Sequence, residues 1–267
     1  MDNIQALIEG TEALGWDTPV QLESHEGNPA SREGFTFIGK LLSLKPPNTH
    51  HIRQTLASIW SFAALFTIEI LASNKFLFTI LNEGLFTRIM NTGPWNVRNS
   101  LLILHPWSPS LAIDEVELHF CPFWVQVHHL PHQHMTIKNA IRIGKGIGKF
   151  LELDNVFSGS LICSQFIKFK IEVDTSKPLA PGFYITRSGM APHWIAFKYE
   201  RLDDYYVSCG LIGHKKGSCP APQIMDPPEK YDISFKPTTS SGPRMVATVP
   251  SEDSDSGLSS AAFVGTS

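Results

Sequence analysis

The sequence predicts a mixed α+β protein, and three observations carry that prediction. Runs rich in β-branched and aromatic residues alternate with segments of helical period between residues 35 and 104; glycine and proline punctuate the junctions; and 42% of the 267 residues are hydrophobic, enough to bury a core. In chain order these segments read strand, helix, strand, strand, helix, strand. An order of βαββαβ specifies a ferredoxin-like split βαβ sheet with both helices on one face.

Each element has its own signature. Residues 35–42 read as a strand that ends at Lys45-Pro46-Pro47, because proline cannot donate to a ladder. Asn48 or Thr49 can cap a helix reaching Trp60, and Ile52, Leu56 and Ile59 are expected to face the sheet. Residues 65–71 and 75–81 are two β-like runs joined by Ala72-Ser73-Asn74, which reads as a hairpin turn. A second helix over residues 83–91 is stopped by Gly93-Pro94, and Leu101-Leu102-Ile103-Leu104 forms the fourth strand. Beyond a connector punctuated by Pro106 and Pro109, residues 123–129 read as a strand and 136–147 as a helix. Residues 166–173 form a strand of alternating charge, and residues 194–199 a last strand.

This divides the chain into a βαββαβ module over residues 35–110 and an α+β extension over 111–200 packed against it, with a short loop over 201–220. Residues 1–34 carry seven acids against the single base Arg32 and read as an acidic flexible arm, with a short helix over 4–14 as the alternative. Residues 221–267 turn to Pro, Ser, Thr and Asp and read as a disordered tail.

The loop over 201–220 holds the one spacing with a definite chemistry. From Cys209 onward it reads Cys-x4-His-x4-Cys, with Cys209, His214 and Cys219 as candidate metal ligands and glycines at Gly210 and Gly213. Zinc takes four ligands at about 2.0–2.3 Å, so a short loop must fold back on itself repeatedly, and glycines supply the positive φ angles that allow it. The fourth ligand of such a knuckle stands three residues before Cys209, where this chain has Tyr206. A phenol with a pKa near 10 is a poor substitute for a thiolate, so zinc is expected to be held weakly. A metal-free loop with reduced thiols is the alternative.

The run Phe197-Lys198-Tyr199-Glu200-Arg201-Leu202, leading into Cys209-Gly210-Leu211-Ile212-Gly213-His214, resembles plant proteins that join a domain of unknown function (DUF4283-type) to a C-terminal CCHC zinc knuckle. Those proteins are related to the nucleic-acid-binding open reading frames of retrotransposons. Further landmarks stand in the family's order: Ile38-Gly39-Lys40, Gly93-Pro94-Trp95, Phe123-Trp124-Val125-Gln126-Val127-His128 with Leu130-Pro131, and Lys177-Pro178-Leu179. The resemblance covers about residues 35–219. The chain departs from it at Tyr206 for the first cysteine, Asp203 for the usual proline, and Ser61-Phe62-Ala63-Ala64 for a polar loop. It implies single-stranded nucleic acid, RNA or DNA, as the partner, zinc as the ligand, and no enzymatic activity. The competing class is a protein-interaction scaffold in which zinc and nucleic-acid binding have been lost.

The candidate nucleic-acid contacts are local, because a formal net charge of -3 gives the whole molecule no basic footprint. Lys215 and Lys216 lie beside Tyr205 and Tyr206, joining phosphate-neutralising bases to aromatics that can stack. Residues 138–149 hold Lys138, Arg142, Lys145 and Lys149 with no acid, and their glycines would let a backbone approach a phosphate; a solvated helix end is the alternative. The RRM-like strand pattern places Phe37 at a base-stacking position and puts Phe76 and Phe78 on one face, where they either stack bases or form ordinary core.

The histidines His128, His129, His132 and His134 suggest an adventitious metal site at most, since strand alternation sets the first two on opposite faces. No nucleophile with its base and acid, no His-Glu-x-x-His and no paired-carboxylate motif is present. Four scattered cysteines, Cys121, Cys163, Cys209 and Cys219, with no signal peptide ahead of the domain, predict a reducing intracellular compartment, nucleus or cytoplasm. Residues 56–72 are apolar but contain Glu69 and read better as strand than as membrane span.

Overall fold

The computed structural model describes residues 34–43, 48–60, 66–72, 74–108, 110–154, 157–158, 161–162, 164–203, 205–206, 209–214 and 219. The acidic arm, the 221–267 tail, Cys163, Lys215 and Lys216 lie outside the described residues.

The fold is α+β, with two five-stranded antiparallel sheets. The first is built from β1 (Phe35–Leu41), β2 (Phe66–Ala72), β3 (Lys75–Ile80), β4 (Trp95–Val97) and β5 (Ser100–Pro106), with α1 (Thr49–Trp60) after β1 and α2 (Glu83–Thr92) after β3. Its strand order is β2-β3-β1-β5-β4, the ferredoxin-like arrangement with β5 as the fourth strand and β4 added at the edge. Asn48 caps α1, its side-chain oxygen accepting from the His50 amide, and Asn82 caps α2 by accepting from Leu85.

Both helices cover one face. Phe37 and Leu41 of β1 and Phe76, Phe78 and Ile80 of β3 are buried there against Ile52, Leu56 and Trp60 of α1 and Leu85 and Ile89 of α2. Ile59, expected to face the sheet, is 37% exposed. Positions 52, 56 and 60, four apart, form the inward stripe instead, and the larger Trp60 indole meets Phe37, Phe66 and Phe78.

The helix-free face of the same sheet is covered as well. Ile38 is buried against Val116 and Leu118, with Leu77, Trp107 and Ile113 packed around them, so the segment after β5 folds back across the strands. Thr36 fastens it by donating its hydroxyl to the Trp107 carbonyl at 2.9 Å. Leu101 and Ile103, on the same face of β5, join the core of the second sheet.

That second sheet contains β6 (Phe120–His128), β7 (Lys149–Leu153), β10 (Ile167–Asp174), β11 (Gly182–Arg187) and β12 (Met190–Tyr199), with α3 (Ile137–Ile147) between β6 and β7 and a small hairpin of β8 (Phe157–Ser158) and β9 (Leu161–Ile162) inserted before β10. Its order is β11-β12-β6-β10-β7. Leaving out the inserted hairpin and counting each sheet's strands from its own first, both sheets read 2-3-1-5-4. The extension is therefore a second sheet on the same plan as the first. The sequence reading missed β4, β7, β8, β9 and β11, all of them short or at sheet edges.

Alternation is strict in the second sheet. Cys121, Phe123, Val125 and Val127 of β6 face a core with Ile167, Phe169, Ile171 and Val173 of β10 and Ile195, Phe197 and Tyr199 of β12. Among the described residues no helix is long and apolar enough to cross a membrane.

Candidate metal centre

After β12, the described residues 200–203, 205–206 and 209–214 lie back against the core. Leu202 and Ile212 are buried in the second sheet's core, and Tyr205 packs on it. An isolated bridge pairs Tyr205 with Ile212. The Tyr206 amide donates to the Leu211 carbonyl, and the Tyr206 carbonyl accepts from the amides of Cys209 and Gly210 at 3.3 and 2.9 Å. Gly210 and Gly213 have φ of +77° and +84°, the left-handed turns their positions in the motif call for.

The turn brings the three predicted ligands together. One donor atom each from Cys209, His214 and Cys219 lies within 4.8 Å of the others, all three side chains being half-buried. The Cys209 Sγ stands 3.2 Å from the His214 Nε2. A tetrahedral zinc with two sulfur ligands and one nitrogen ligand requires donor spacings of roughly 3.5–3.8 Å, which this set brackets. Burial pushes the Cys209 thiol up from its ordinary range, aided by the hydrogen bond and charge of Cys219 beside it. A coordinated metal reverses that preference by stabilising the thiolate.

Tyr206 occupies the head of the turn. Its ring sits edge-on to the His214 imidazole, with centroids 5.5 Å apart. Cys121 points elsewhere: it is 3% exposed within the second sheet's core, where burial pushes its thiol far up. The three-residue set is the only such cluster of metal-ligating side chains among the described residues, so the histidines at 128–134 do not form one. His128 instead shares a hydrogen bond with the Gln126 side chain at 2.9 Å and packs on Phe166.

The knuckle is docked rather than free-standing. Leu179 donates its amide to the Gly210 carbonyl at 2.9 Å, and a Cβ on Gly213 would stand 3.0 Å from that of Leu42 at the end of β1. Residues from both sheets therefore hold the loop that carries the ligands.

The other candidate contacts are placed as follows. Phe37, Phe76 and Phe78 lie under the helices, and Phe37 stacks on Phe78 at 5.0 Å, so the core alternative holds for all three. The sequence reading had no means of locating the helix-free face of the second sheet, where Trp124, Gln126 and His128 of β6 neighbour Lys168 and Lys170 of β10. Its lysines are already engaged within the protein. Trp124 is 3% exposed, with the Lys168 and Lys170 ammonium groups 5.0 and 5.7 Å from its ring. Lys168 pairs with Glu200 at 2.8 Å and Asp154 at 3.5 Å, and Lys170 donates to the Asn91 carbonyl of α2.

Lys138, Arg142 and Lys145 form an exposed ridge on α3, while Lys149 follows the helix and pairs with Glu172 at 3.4 Å. Two of the glycines among them serve packing: a Cβ on Gly144 would lie 2.6 Å from the Phe150 ring and one on Gly148 2.6 Å from the Glu172 carbonyl, whereas Gly146 faces open space.

Residues 31–115 match the family described as Domain of unknown function (DUF4283), and residues 173–221 match the family described as Zinc knuckle. The two matches take in the first sheet and the chain from the end of β10 through Cys219, leaving most of the second sheet between them. No curated protein matches the chain.

Proposed function

We propose that this chain, which carries a DUF4283 domain followed by a CCHC-type zinc knuckle, binds zinc weakly through Cys209, His214 and Cys219 and binds single-stranded nucleic acid through the same loop, without catalysis. The observation that carries the reading is the convergence of three ligand atoms within 4.8 Å on a turn whose two glycines hold positive φ. Zinc would supply structural cross-linking of the turn. Leu202 and Ile212 anchor the turn to the second sheet's core on either side of Cys209. Tyr205, Tyr206, Lys215 and Lys216 are the proposed contacts with base and phosphate, and the α3 ridge of Lys138, Arg142 and Lys145 with Lys149 beyond it is a second phosphate-binding surface. An origin in a retrotransposon belongs to the same proposal.

A second reading has a specific observation behind it. The helix-free face of the first sheet, where recognition modules of this topology stack bases, is buried under Val116, Leu118 and Trp107. That favours a protein-interaction scaffold over a nucleic-acid binder.

Fluorescence anisotropy with labelled oligouridylate and oligothymidylate, in zinc and in chelator across a salt series, separates the two. Binding that weakens as salt rises, with a log–log slope whose magnitude falls by about 1.4, the share of two phosphates, after Lys215→Ala with Lys216→Ala, supports the nucleic-acid reading. Affinity indifferent to salt and to that double change favours the scaffold. Zinc stoichiometry tests the metal separately: Tyr206→Cys restores a thiolate at the head of the turn and is expected to raise zinc affinity at least about tenfold. Equal affinities would mean that Tyr206 does not stand at a lost ligand position.

A further inference from the structure

The second sheet lacks an element that its strand order calls for. In the first sheet α2 follows β3 and covers the core beside α1; in the second, β10 runs through residues 175–181 directly into β11, with no helix between. α3 packs over β10 and β7, where Gly144 approaches Phe150 and Phe169. The strip over β12 and β11 has no helix of its own. A groove of about 620 Å³ runs there, between α3 and the β11–β12 hairpin. It shares Gly146 and Ile147 with a second, separate cavity of about 530 Å³, which is lined beyond them by Lys149, Glu172, Asp174 and Lys177.

Its lining has a defined chemistry. α3 presents Asn139, Arg142, Ile143, Gly146 and Ile147, one helical stripe. Phe197 forms the floor, and Phe183 and Ile185 of β11 make the far wall, both half-buried. Arg142 lines the 620 Å³ groove, with the His134 imidazole, and no carboxylate is among its side chains. Among the described residues no ion pair engages Lys138, Arg142 or Lys145. The apolar strip thus lies beside a ridge of exposed, unneutralised bases.

We infer that this groove is a docking site for an amphipathic helix of a partner protein, whose apolar stripe fills the place of the missing second helix and whose flanking carboxylates meet Arg142 and the α3 ridge. The shape follows from the strand order, because in the first sheet, built on the same plan, a second helix shares the core through Leu85 and Ile89. The acidic flank follows from charge complementarity with a rim that carries bases and no acid. Nucleic acid suits the groove less well, since Arg142 is the one permanent cation in a lining that is otherwise uncharged or apolar apart from His134. The inference is independent of the zinc knuckle.

The test uses the full chain and a fluorescein-labelled synthetic peptide of about 14 residues, with leucines spaced three and four apart and glutamates on the flank. Saturable binding is expected. A control peptide with lysine for every glutamate is expected to bind at least about tenfold more weakly, as is the first peptide to Arg142→Glu. Ile185→Asp is expected to abolish peptide binding while leaving oligonucleotide binding unchanged. Arg142 is exposed on α3, so its variant keeps the test decisive should Ile185→Asp fail to fold. Absence of peptide binding, equal affinity for the two peptides, or indifference to Arg142→Glu overturns the proposal. Oligothymidylate binding abolished by Ile185→Asp assigns the groove to nucleic acid, and concentration-dependent self-association lost in Arg142→Glu assigns it to a second copy; either result also overturns it.

Discussion

The first sheet buries both of its faces, one under α1 and α2 and the other under the segment that carries Val116 and Leu118, whereas the second, built on the same strand order, has α3 alone. The second closes the rest of its core with pieces borrowed from elsewhere: Leu101 and Ile103 from the first sheet, Leu179 from the loop after β10, and Leu202 and Ile212 from the knuckle. Strand order settles where cover is needed, and hydrophobic burial requires only that apolar side chains supply it. A loop that has to cover a core cannot also behave as a tethered bead. That is why the turn carrying Cys209 and His214 packs against the second sheet's core and why a groove persists where the cover runs out.

The largest expected effect tests whether the two sheets are one cooperative unit. Phe78→Ala removes a fully buried ring from the first sheet and is expected to cost about 3–5 kcal/mol. If the shared core couples the sheets, fluorescence of Trp124 in the second sheet will shift to the same lower melting temperature as the overall circular dichroism. Two separate transitions would break the comparison by showing that Leu101 and Ile103 transmit nothing. Next in size is Ile212→Ala, expected to cost about 2–3 kcal/mol because the side chain is 7% exposed in the second sheet's core. A knuckle acting as core cover loses global stability in this variant even in chelator; a free-standing one leaves the chelated protein's melting temperature unchanged.

The smallest effect concerns pH. Burial, with Lys198 and His129 nearby, lowers His128 from its ordinary value to about 4. The native protein therefore keeps this imidazole neutral where the unfolded chain protonates it. Its contribution to stability is intact above the unfolded pKa near 6.5 and is lost as pH falls toward 4. Since the ring is only half-buried, solvent screening reduces the effect to about 1 kcal/mol. Urea titrations at pH 7 and pH 4.5 should show a smaller loss in His128→Gln than in the unmodified protein; equal losses remove His128 from the account.

How much of this could be read from the residues follows from how local each feature is. The spans of α1, α2, α3, β1, β3, β6 and β10 follow from hydrophobic period, caps and breakers, which act over a few neighbouring residues. The ligand set is local in the same sense: ring closure around a small ion fixes the spacing of Cys209, His214 and Cys219 and the need for glycine at 210 and 213. Period also shows that Phe76 and Phe78 share a face, but alternation carries no information about what lies above it, so stacking surface and core stayed equivalent until α1 and α2 were seen to cover them. β4, β7 and β11 are edge strands with mixed composition, held by the neighbours they pair with and not by any preference of their own. The repetition of one strand plan, the docking of the knuckle against Leu42 and Leu179, and the groove beside α3 were likewise decided by tertiary structure alone, because each depends on which residues far apart in the chain are left to bury the same apolar surface.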